Sequence, residues 1–167
     1  MISLLAALTA TAAASTTRPD EPAGDWLVAK RVAIIRIVNC GGRIWGVVAW
    51  EKVPALDKNN SDPAKRSRPT LGMPVLLGME QSKSHEWSGE IYNSQDGRTY
   101  DANISLSNGN TLRVEGCALG LLCGSEDWSR VSQSTTGAPG GPKRDGATLA
   151  ESSQVTCARL TTSGSSH

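Results

Sequence analysis

Hydrophobic and polar residues alternate with a period of two between Trp87 and Cys117. Such a period places successive side chains on opposite faces of a β-strand, with the apolar set facing a core. Asp96-Gly97 and Asn108-Gly109 interrupt the alternation, and both dipeptides tolerate the positive φ angles of tight hairpin turns. The stretch therefore predicts three consecutive antiparallel strands. Its buried positions are Ile91, Ala102, Ile104, Leu106, Leu112 and Val114.

Shorter apolar segments before and after this meander predict further strands at residues 26–29, 32–38, 43–50, 75–79 and 126–131. The segment RIWGVVAW at 43–50 is apolar on both faces, which is typical of a central strand or of one covered on its outside. No segment between them predicts a helix. The pattern therefore indicates an all-β fold, namely a small up-and-down antiparallel β-barrel of about eight strands. Sequential hairpins favour this topology over Greek-key connections.

The alternation is absent from residues 51–74, which carry four prolines. Connections of this length are commonly functional loops or covering flaps. Arg66 and Arg68 in this loop could hold a ligand carboxylate or phosphate through bidentate hydrogen bonds. Alternatively, one of them pairs with Asp57 or Asp62 and attaches the loop to the barrel. We favour the second hypothesis, because acidic neighbours in the same loop largely neutralise the two arginines.

Composition divides the chain into four parts. Residues 1–14 are apolar, too short to span a bilayer, and end in small residues as a secretory signal peptide does, although a buried first helix is the alternative. Residues 15–23 form a linker rich in Pro, Thr and acids, and residues 24–131 form the barrel domain. Residues 132–167 are rich in Ser, Gly and Pro, and are predicted to be a disordered tail because they cannot bury enough apolar surface. The signal peptide predicts a periplasmic or secreted protein.

Four cysteines fit the oxidising compartment that an exported protein enters. Cys40, Cys117 and Cys123 lie in the patterned region, and Cys157 lies in the tail. A bridge between Cys117 and Cys123 would close the short loop between them, whereas a link from Cys40 to either would join two ends of the sheet. The odd cysteine of the patterned region would be free or would reach Cys157, and the pairing stays open. Without a C-x-x-C pair, and with only two histidines in the chain, no metal site is predicted.

The composition and motifs also argue against several other functions. A net charge of +1 does not predict a nucleic-acid-binding surface, which needs clustered excess Lys and Arg. The sequence has no G-x-S-x-G elbow and only one internal histidine, so we predict neither a catalytic triad nor a cofactor. Glu90 and Asp101 could support acid–base chemistry in a hydrolase or isomerase. Polar residues that alternate along a strand are, however, more typical of its solvated face.

These observations leave two main hypotheses of function. In the first, the open end of the barrel, flanked by the long loop, binds a small apolar or amphipathic ligand without catalysis. In the second, tryptophan side chains fill the barrel, which serves as a structural or protein-interaction module of the cell envelope. No stable membrane span is expected in the mature chain. The candidate ligand-binding residues are Trp50, Arg66, Arg68, Tyr92, Tyr100 and Asp101.

Several different short motifs follow one another along residues 24–131. They are Gly24-x-Trp26, Asn39-Cys40-Gly41-Gly42, Arg66-Ser67-Arg68-Pro69, Leu71-Gly72, Trp87-Ser88-Gly89, Ile91-Tyr92, Asp96-Gly97, Thr99-Tyr100, Gly116-Cys117 and Trp128-Ser129-Arg130. On these motifs the chain resembles the bacterial domain-of-unknown-function family 2147. The resemblance implies a small exported β protein of lipocalin-like character and brings no established activity. The family pattern has a second cysteine where this chain has Trp45, which puts any family disulfide scheme in doubt.

The motifs at the two ends of the domain are similar to those of lipocalins. In lipocalins, a tryptophan of the first strand packs under an arginine of the last. A guanidinium group over an indole face contributes about 0.5–2 kcal/mol. We therefore expect Gly24, Trp26, Trp128 and Arg130 to have a structural role rather than a binding role.

Overall fold

The computed structural model of the chain describes residues 21–118, 122–131 and 156–160, so the predicted signal peptide lies outside the described residues. The described part contains eight strands, one short 3-10 helix, Pro63–Lys65, and a short helix at residues 156–160. The strands are β1 (Gly24–Leu27), β2 (Ala33–Cys40), β3 (Arg43–Glu51), β4 (Pro74–Lys83), β5 (Glu86–Asn93), β6 (Arg98–Asn108), β7 (Thr111–Ala118) and β8 (Leu122–Arg130).

The strands close into one antiparallel barrel in sequence order, with β8 returning to pair with β1. The predicted all-β up-and-down barrel is therefore confirmed. Because neighbouring strands run in opposite directions, their connections alternate between the two ends of the barrel. The loop end is formed by residues 28–32, 52–73 and 94–97, together with the end of β7 and the start of β8. The sealed end is formed by the turns at 41–42, 84–85 and 109–110, the start of β1 and the end of β8.

The interior of the barrel is a single apolar cluster to which all eight strands contribute. Alternation along each strand directs one set of side chains inward, and these pack together out of water. Three tryptophans supply the aromatic bulk in a chain that has no phenylalanine. The buried members are Trp26, Ile35, Ile37, Ile44, Val48, Leu76, Met79, Trp87, Ala102, Ile104, Leu106, Leu112, Val114 and Trp128.

Two strands are longer than the sequence pattern predicts. The strand expected at 75–79 runs to Lys83, and its pairing with β5 shifts register between Leu77 and Glu80. The last strand begins at Leu122 rather than at residue 126, and its first four residues are exposed. A register shift interrupts the alternation, and an exposed segment carries none, so neither extension has a pattern in the sequence.

The structure corrects the predicted disordered tail at residues 156–160. These residues form a short helix, and Leu160 is buried in a second cluster with Val38 and Val47 on the outer face of the barrel. A disulfide joins Cys157 to Cys40 and holds the helix there. The helix explains why residues 43–50 are apolar on both faces, because the outward-facing side chains of β3 are covered by it.

Candidate functional site

The sealed end is held by a cation–π contact between the first and last strands. Trp26 pairs with Arg130, and the guanidinium carbon of Arg130 lies 4.2 Å from the centroid of the Trp26 ring. The Trp26 indole N–H donates to the carbonyl of Pro22 at 2.7 Å. Arg130 donates to the carbonyls of Gly109, Ala23 (2.8 Å) and Glu21 (2.9 Å). Burial lowers the pKa of Arg130, and its guanidinium group donates to three backbone carbonyls.

The long loop is attached to the outside of the barrel by a buried carboxylate. Asp57 has no exposed surface, and its two oxygens accept from Tyr92 Oη at 2.6 Å, Asn60 Nδ2 at 2.7 Å and Arg68 Nε at 3.0 Å. Arg68 Nη2 adds an ion pair at 2.8 Å. The structure therefore has the arginine–aspartate pair that we favoured for this loop. Arg66 is exposed, and its Nε donates to the carbonyl of Asn60 at 2.8 Å.

The pKa values of this group, called here the Asp57 clamp (Asp57, Asn60, Arg68 and Tyr92), follow from its contacts. Burial pushes the pKa of Asp57 upward, but the hydrogen bonds from Tyr92, Asn60 and Arg68 outweigh burial and hold the pKa below its usual value of 3.8. Burial and the hydrogen bond to Asp57 both raise the pKa of Tyr92 above its usual value of 10.0. At neutral pH the clamp therefore contains a charged carboxylate and a protonated phenol, each bonded to the other.

A second attachment of the loop requires a glycine at position 97. Gly97 has a φ of 73°, and a side-chain carbon there would lie 1.7 Å from the carbonyl oxygen of Asn59. Asn59 also donates through its side chain to the carbonyl of Gln95 at 2.7 Å. The loop backbone thus lies directly on the turn between β5 and β6, where only a residue without a β-carbon fits.

Gly97→Ala is expected to detach the loop from this turn. Gly72→Ala is the matched control, because Gly72 has a similar φ of 82° with no atom within 4 Å of its missing β-carbon. The control should cost about 1 kcal/mol from the left-handed backbone alone. Gly97→Ala should cost at least about 2 kcal/mol more, because the loop must move. Urea unfolding of both variants measures the difference, and equal losses would show that the close approach does not constrain the loop.

Inside the barrel, a row of residues with small or absent side chains crosses β5 to β8 near the loop end. Gly89 pairs with Ala102, Ala102 with Gly116, and Gly116 with Gly124. Ala102 is buried, so the row lies on the inner face. A side-chain carbon at Gly116 would lie 3.2 Å from Ile91 Cγ2, whereas one at Gly124 would meet nothing within 4 Å. Gly124 is also exposed, so the inner wall at this position opens to solvent at the mouth of the barrel.

Four partly buried apolar residues pack against the core cluster near the loop end of the barrel: Val28, Ala33, Val75 and Ile91. Glu126 also belongs to the inner wall, since it stands opposite the buried Val114. The indole N–H of Trp128 donates to its Oε1. The loop-end half of the barrel thus combines an apolar lining with one carboxylate, whereas its sealed half is packed.

The structure separates most of the residues predicted to line a ligand site. Tyr92 faces outward in the Asp57 clamp, but Tyr100 pairs with Ile91 on the inner face and donates to Asp96 Oδ2 at 2.5 Å. That hydrogen bond raises the pKa of Tyr100. The two tyrosines, both candidate ligand-binding residues, therefore lie on opposite faces of the barrel wall, because Tyr92 pairs with Thr99 and not with Tyr100.

The remaining predicted residues also lie apart. Asp101 stands opposite Glu90 on the outer face, and both are exposed. Trp50 pairs with Ile34 and is half-buried. Sequence reasoning missed Asn60 and Gly124. Asn60 is one of several polar residues in an irregular loop. Gly124 lies before residue 126, in a segment where no alternation of apolar and polar residues predicts a strand.

Glu115, Cys117 and Cys123 bring one ligand atom each to within 4.8 Å of one another on the outer face of β7 and β8. The two sulfurs are joined in a disulfide, so they are not thiolates and do not form a metal site in this state. The bridge closes the loop between Cys117 and Cys123, one of the pairings considered from the sequence.

Among the described residues, no helix has the length and apolar character needed to cross a membrane. A closed eight-stranded meander, sealed where a tryptophan of β1 meets an arginine of β8, defines a barrel of the lipocalin type. The chain belongs to the family described as uncharacterized protein conserved in bacteria (DUF2147), whose model matches residues 24–130.

The barrel is also similar to a solved structure, protein HP1028 from the human pathogen Helicobacter pylori, which is described as belonging to the lipocalin family. The two share 20% sequence identity with a TM-score of 0.60, over 67% of this chain and 84% of the other. At this identity the likeness shows the fold. No curated protein matches the chain.

Proposed function

We propose that this protein is a non-catalytic binding module that holds one small apolar or amphipathic ligand in the loop-end half of its barrel. The observation that carries the proposal is the open space at Gly124, on an inner wall that is apolar apart from Glu126 and Tyr100. Ligand sites in barrels of this size are apolar cavities with a few polar groups that orient the ligand. Glu126 and Tyr100 supply such groups on the same face.

The proposed ligand enters from the loop end, because the sealed end is filled. Trp26 is completely buried there, and Arg130 connects it to the chain before β1 and to the turn at Gly109. The long loop leaves the other end accessible, since the Asp57 clamp holds it against the outside of β5. This loop therefore serves as a brace of the barrel wall.

The proposal includes action outside the cytoplasm, in the periplasm or after secretion. Two disulfides support it, because the glutathione and thioredoxin systems keep such bonds reduced in the cytosol. The absence of catalysis is proposed from the position of the paired acids. Glu90 and Asp101 are exposed to solvent on the outer face, away from the inner wall where the ligand is proposed to bind.

The alternative function, a filled structural or interaction module, is favoured by the packed core. Trp26, Trp87 and Trp128 all belong to the buried cluster that fills the sealed half of the barrel. Trp45, in contrast, belongs to the outer cluster with the C-terminal helix. The two functions differ in what occupies the loop-end half, and a variant that fills this space distinguishes them.

Gly124→Leu is expected to abolish the binding of a small amphipathic probe, such as the fluorescent amine N-phenyl-1-naphthylamine. The leucine side chain would occupy the open space, and its position permits a side chain because its φ is outside the left-handed region. Titration of probe fluorescence should show at least a tenfold loss of affinity, since displacing one or two buried apolar groups of a ligand costs about 1.5–3 kcal/mol.

Ser125→Leu is the matched control, because residue 125 is exposed on the outer face of the same strand. It adds the same apolar bulk and should leave probe affinity unchanged. If Gly124→Leu retains the affinity and raises the stability of the barrel, the space is a packing defect and the filled module is the better account.

A further inference from the structure

Every large hydrophobic residue that is exposed in the described part of the chain lies at the loop end of the barrel. Val53 and Leu122 are the most exposed, at 72% and 77%. The residues belong to three different connections, which surround the barrel opening. They are Val32 in residues 28–32, Val53, Leu56 and Leu71 in the long loop, and Leu122 at the start of β8.

Positive charge is concentrated at the same end. In segments 28–32, 51–73 and 94–98, Lys and Arg outnumber Asp and Glu by eight to four, whereas the rest of the chain has nine against twelve. The net charge of +1 is therefore unevenly distributed, with an excess of positive charge at the loop end and an excess of negative charge in the rest of the chain. Six of these eight cations are exposed and form no ion pair with any described residue: Lys30, Arg31, Lys52, Lys58, Arg66 and Arg98.

The sealed end and the adjoining wall differ from the loop end both in exposed hydrophobic residues and in unpaired positive charge. Arg43 is paired there with Glu80 at 2.6 Å, and Lys83 is paired with Glu86 at 3.4 Å. The turns of the sealed end contain only small or polar residues in the described chain, and none of them is a large exposed hydrophobic residue. The contrast within one molecule shows that the apolar tips and free cations of the loop end are not a general property of its surface.

We propose that the loop end docks on the surface of an anionic lipid bilayer. Isolated apolar tips on separate loops can each enter the headgroup region, while neighbouring lysines and arginines face the lipid phosphates. A protein partner would instead favour one contiguous apolar patch with few charges at its centre. The main chain keeps two of these connections together, since Lys52 donates its backbone N–H to the carbonyl of Val32 at 2.8 Å.

Docking in this orientation would direct the barrel opening toward the bilayer. It does not depend on the proposed ligand, because Lys30, Lys52 and Val53 lie in the connections outside the strands, whereas the ligand space lies at Gly124. Gly124→Leu is therefore expected to retain docking, and loss of docking would leave probe binding intact. The two proposals can fail separately.

The test is sedimentation of the full chain with vesicles, either of pure phosphatidylcholine or of equal parts phosphatidylcholine and phosphatidylglycerol. Docking predicts binding to the anionic vesicles only, weakened as salt rises. Residues 1–14 are themselves apolar and can contribute to vesicle binding. The deciding comparison is therefore of vesicle binding between variants that all contain these residues. Removing Lys30 and Lys52 together by substitution with Gln should weaken binding about 25-fold, or about fivefold for each lysine.

The matched variant, Lys83→Gln with Arg113→Gln, removes the same charge from the sealed end and the barrel wall, and should bind as the parent chain does. Val53→Ser with Leu122→Ser tests the apolar tips and should also release the protein from vesicles. The proposal is overturned by absence of binding, by equal binding to neutral vesicles, or by equal losses in the two charge variants. It is also overturned if the full chain forms a dimer that Val53→Ser dissociates.

Discussion

Trp26→Ala is expected to lower the free energy of unfolding by about 3–5 kcal/mol, the usual cost of removing a large buried aromatic side chain. Trp26 has no exposed surface, belongs to the core cluster and lies beneath Arg130. Its loss would leave a cavity at the one place where the barrel closes, because β1 and β8 pair only at Trp26–Arg130 and Leu27–Ser129. Urea unfolding followed by circular dichroism measures the effect.

The contribution of the cation–π contact to stability can be separated from that of burial. A double-mutant cycle with Trp26→Leu and Arg130→Met should give a coupling of about 0.5–2 kcal/mol. Arg113→Met is the control, since Arg113 is half exposed and pairs with exposed Asp127 at 3.6 Å. The control should change stability by less than about 1 kcal/mol. A Trp26→Ala loss no larger than that of the control would contradict the role of Trp26 in closing the barrel.

Asp57→Ala is expected to have the next largest effect, a loss of about 3 kcal/mol of stability. The substitution removes the acceptor of three side chains, so the hydroxyl proton of half-buried Tyr92 and one of the two Nδ2 protons of buried Asn60 lose their acceptor. Arg68 is more than a third exposed and can turn to water, which limits the cost. Trypsin should also cleave the long loop faster, because its attachment to β5 is lost.

The acid sensitivity of the protein should change in the same variant. The pKa of Asp57 is lower in the folded state than its usual value of 3.8, so the carboxylate stabilises the fold above that pH. This contribution is lost as the pH falls from there through the lowered pKa. Asp57→Asn should therefore unfold with a flatter dependence on pH below about 4 than the parent chain.

Asp62→Asn is the matched control for both measurements. Asp62 lies in the same loop, caps the 3-10 helix by accepting from the Ala64 N–H at 3.0 Å, and is partly exposed. Its replacement should cost at most about 1 kcal/mol, with little change below pH 4. Equal losses in the Asp57 and Asp62 variants would show that burial gives Asp57 no special role.

The fold could be predicted from the sequence because the barrel depends on local patterns. Ile104 and Val114 alternate with polar residues, and Asn108-Gly109 marks the turn between them, so strand, face and hairpin follow from adjacent residues. The attachment of the loop through Arg68 and Asp57 was also predictable, since both charges lie in one loop. Trp26 and Arg130, at opposite ends of the domain, were connected only through the resemblance to lipocalins.

The inner site could not be predicted in the same way. Tyr92 and Tyr100 are both suited to line a ligand site. Whether they share a face depends on the register between β5 and β6, and a shift of one residue in that register would reverse the answer. Gly124 shows open space only when the positions of all eight strands are known. The C-terminal helix depends on the bond from Cys157 to Cys40, a partner 117 residues away in sequence.

The most direct test of the central claim, that the loop-end half of the barrel holds a ligand, is mapping of probe binding by NMR on the isotope-labelled full chain. Addition of N-phenyl-1-naphthylamine is predicted to shift the amide signals of Gly116, Gly124 and Glu126 and the methyl signals of Ile91. Signals of Trp26 and Gly109 at the sealed end should stay unchanged. Shifts confined to the outer face around Asp101 and Glu90, or no shifts at saturating probe, would contradict the account.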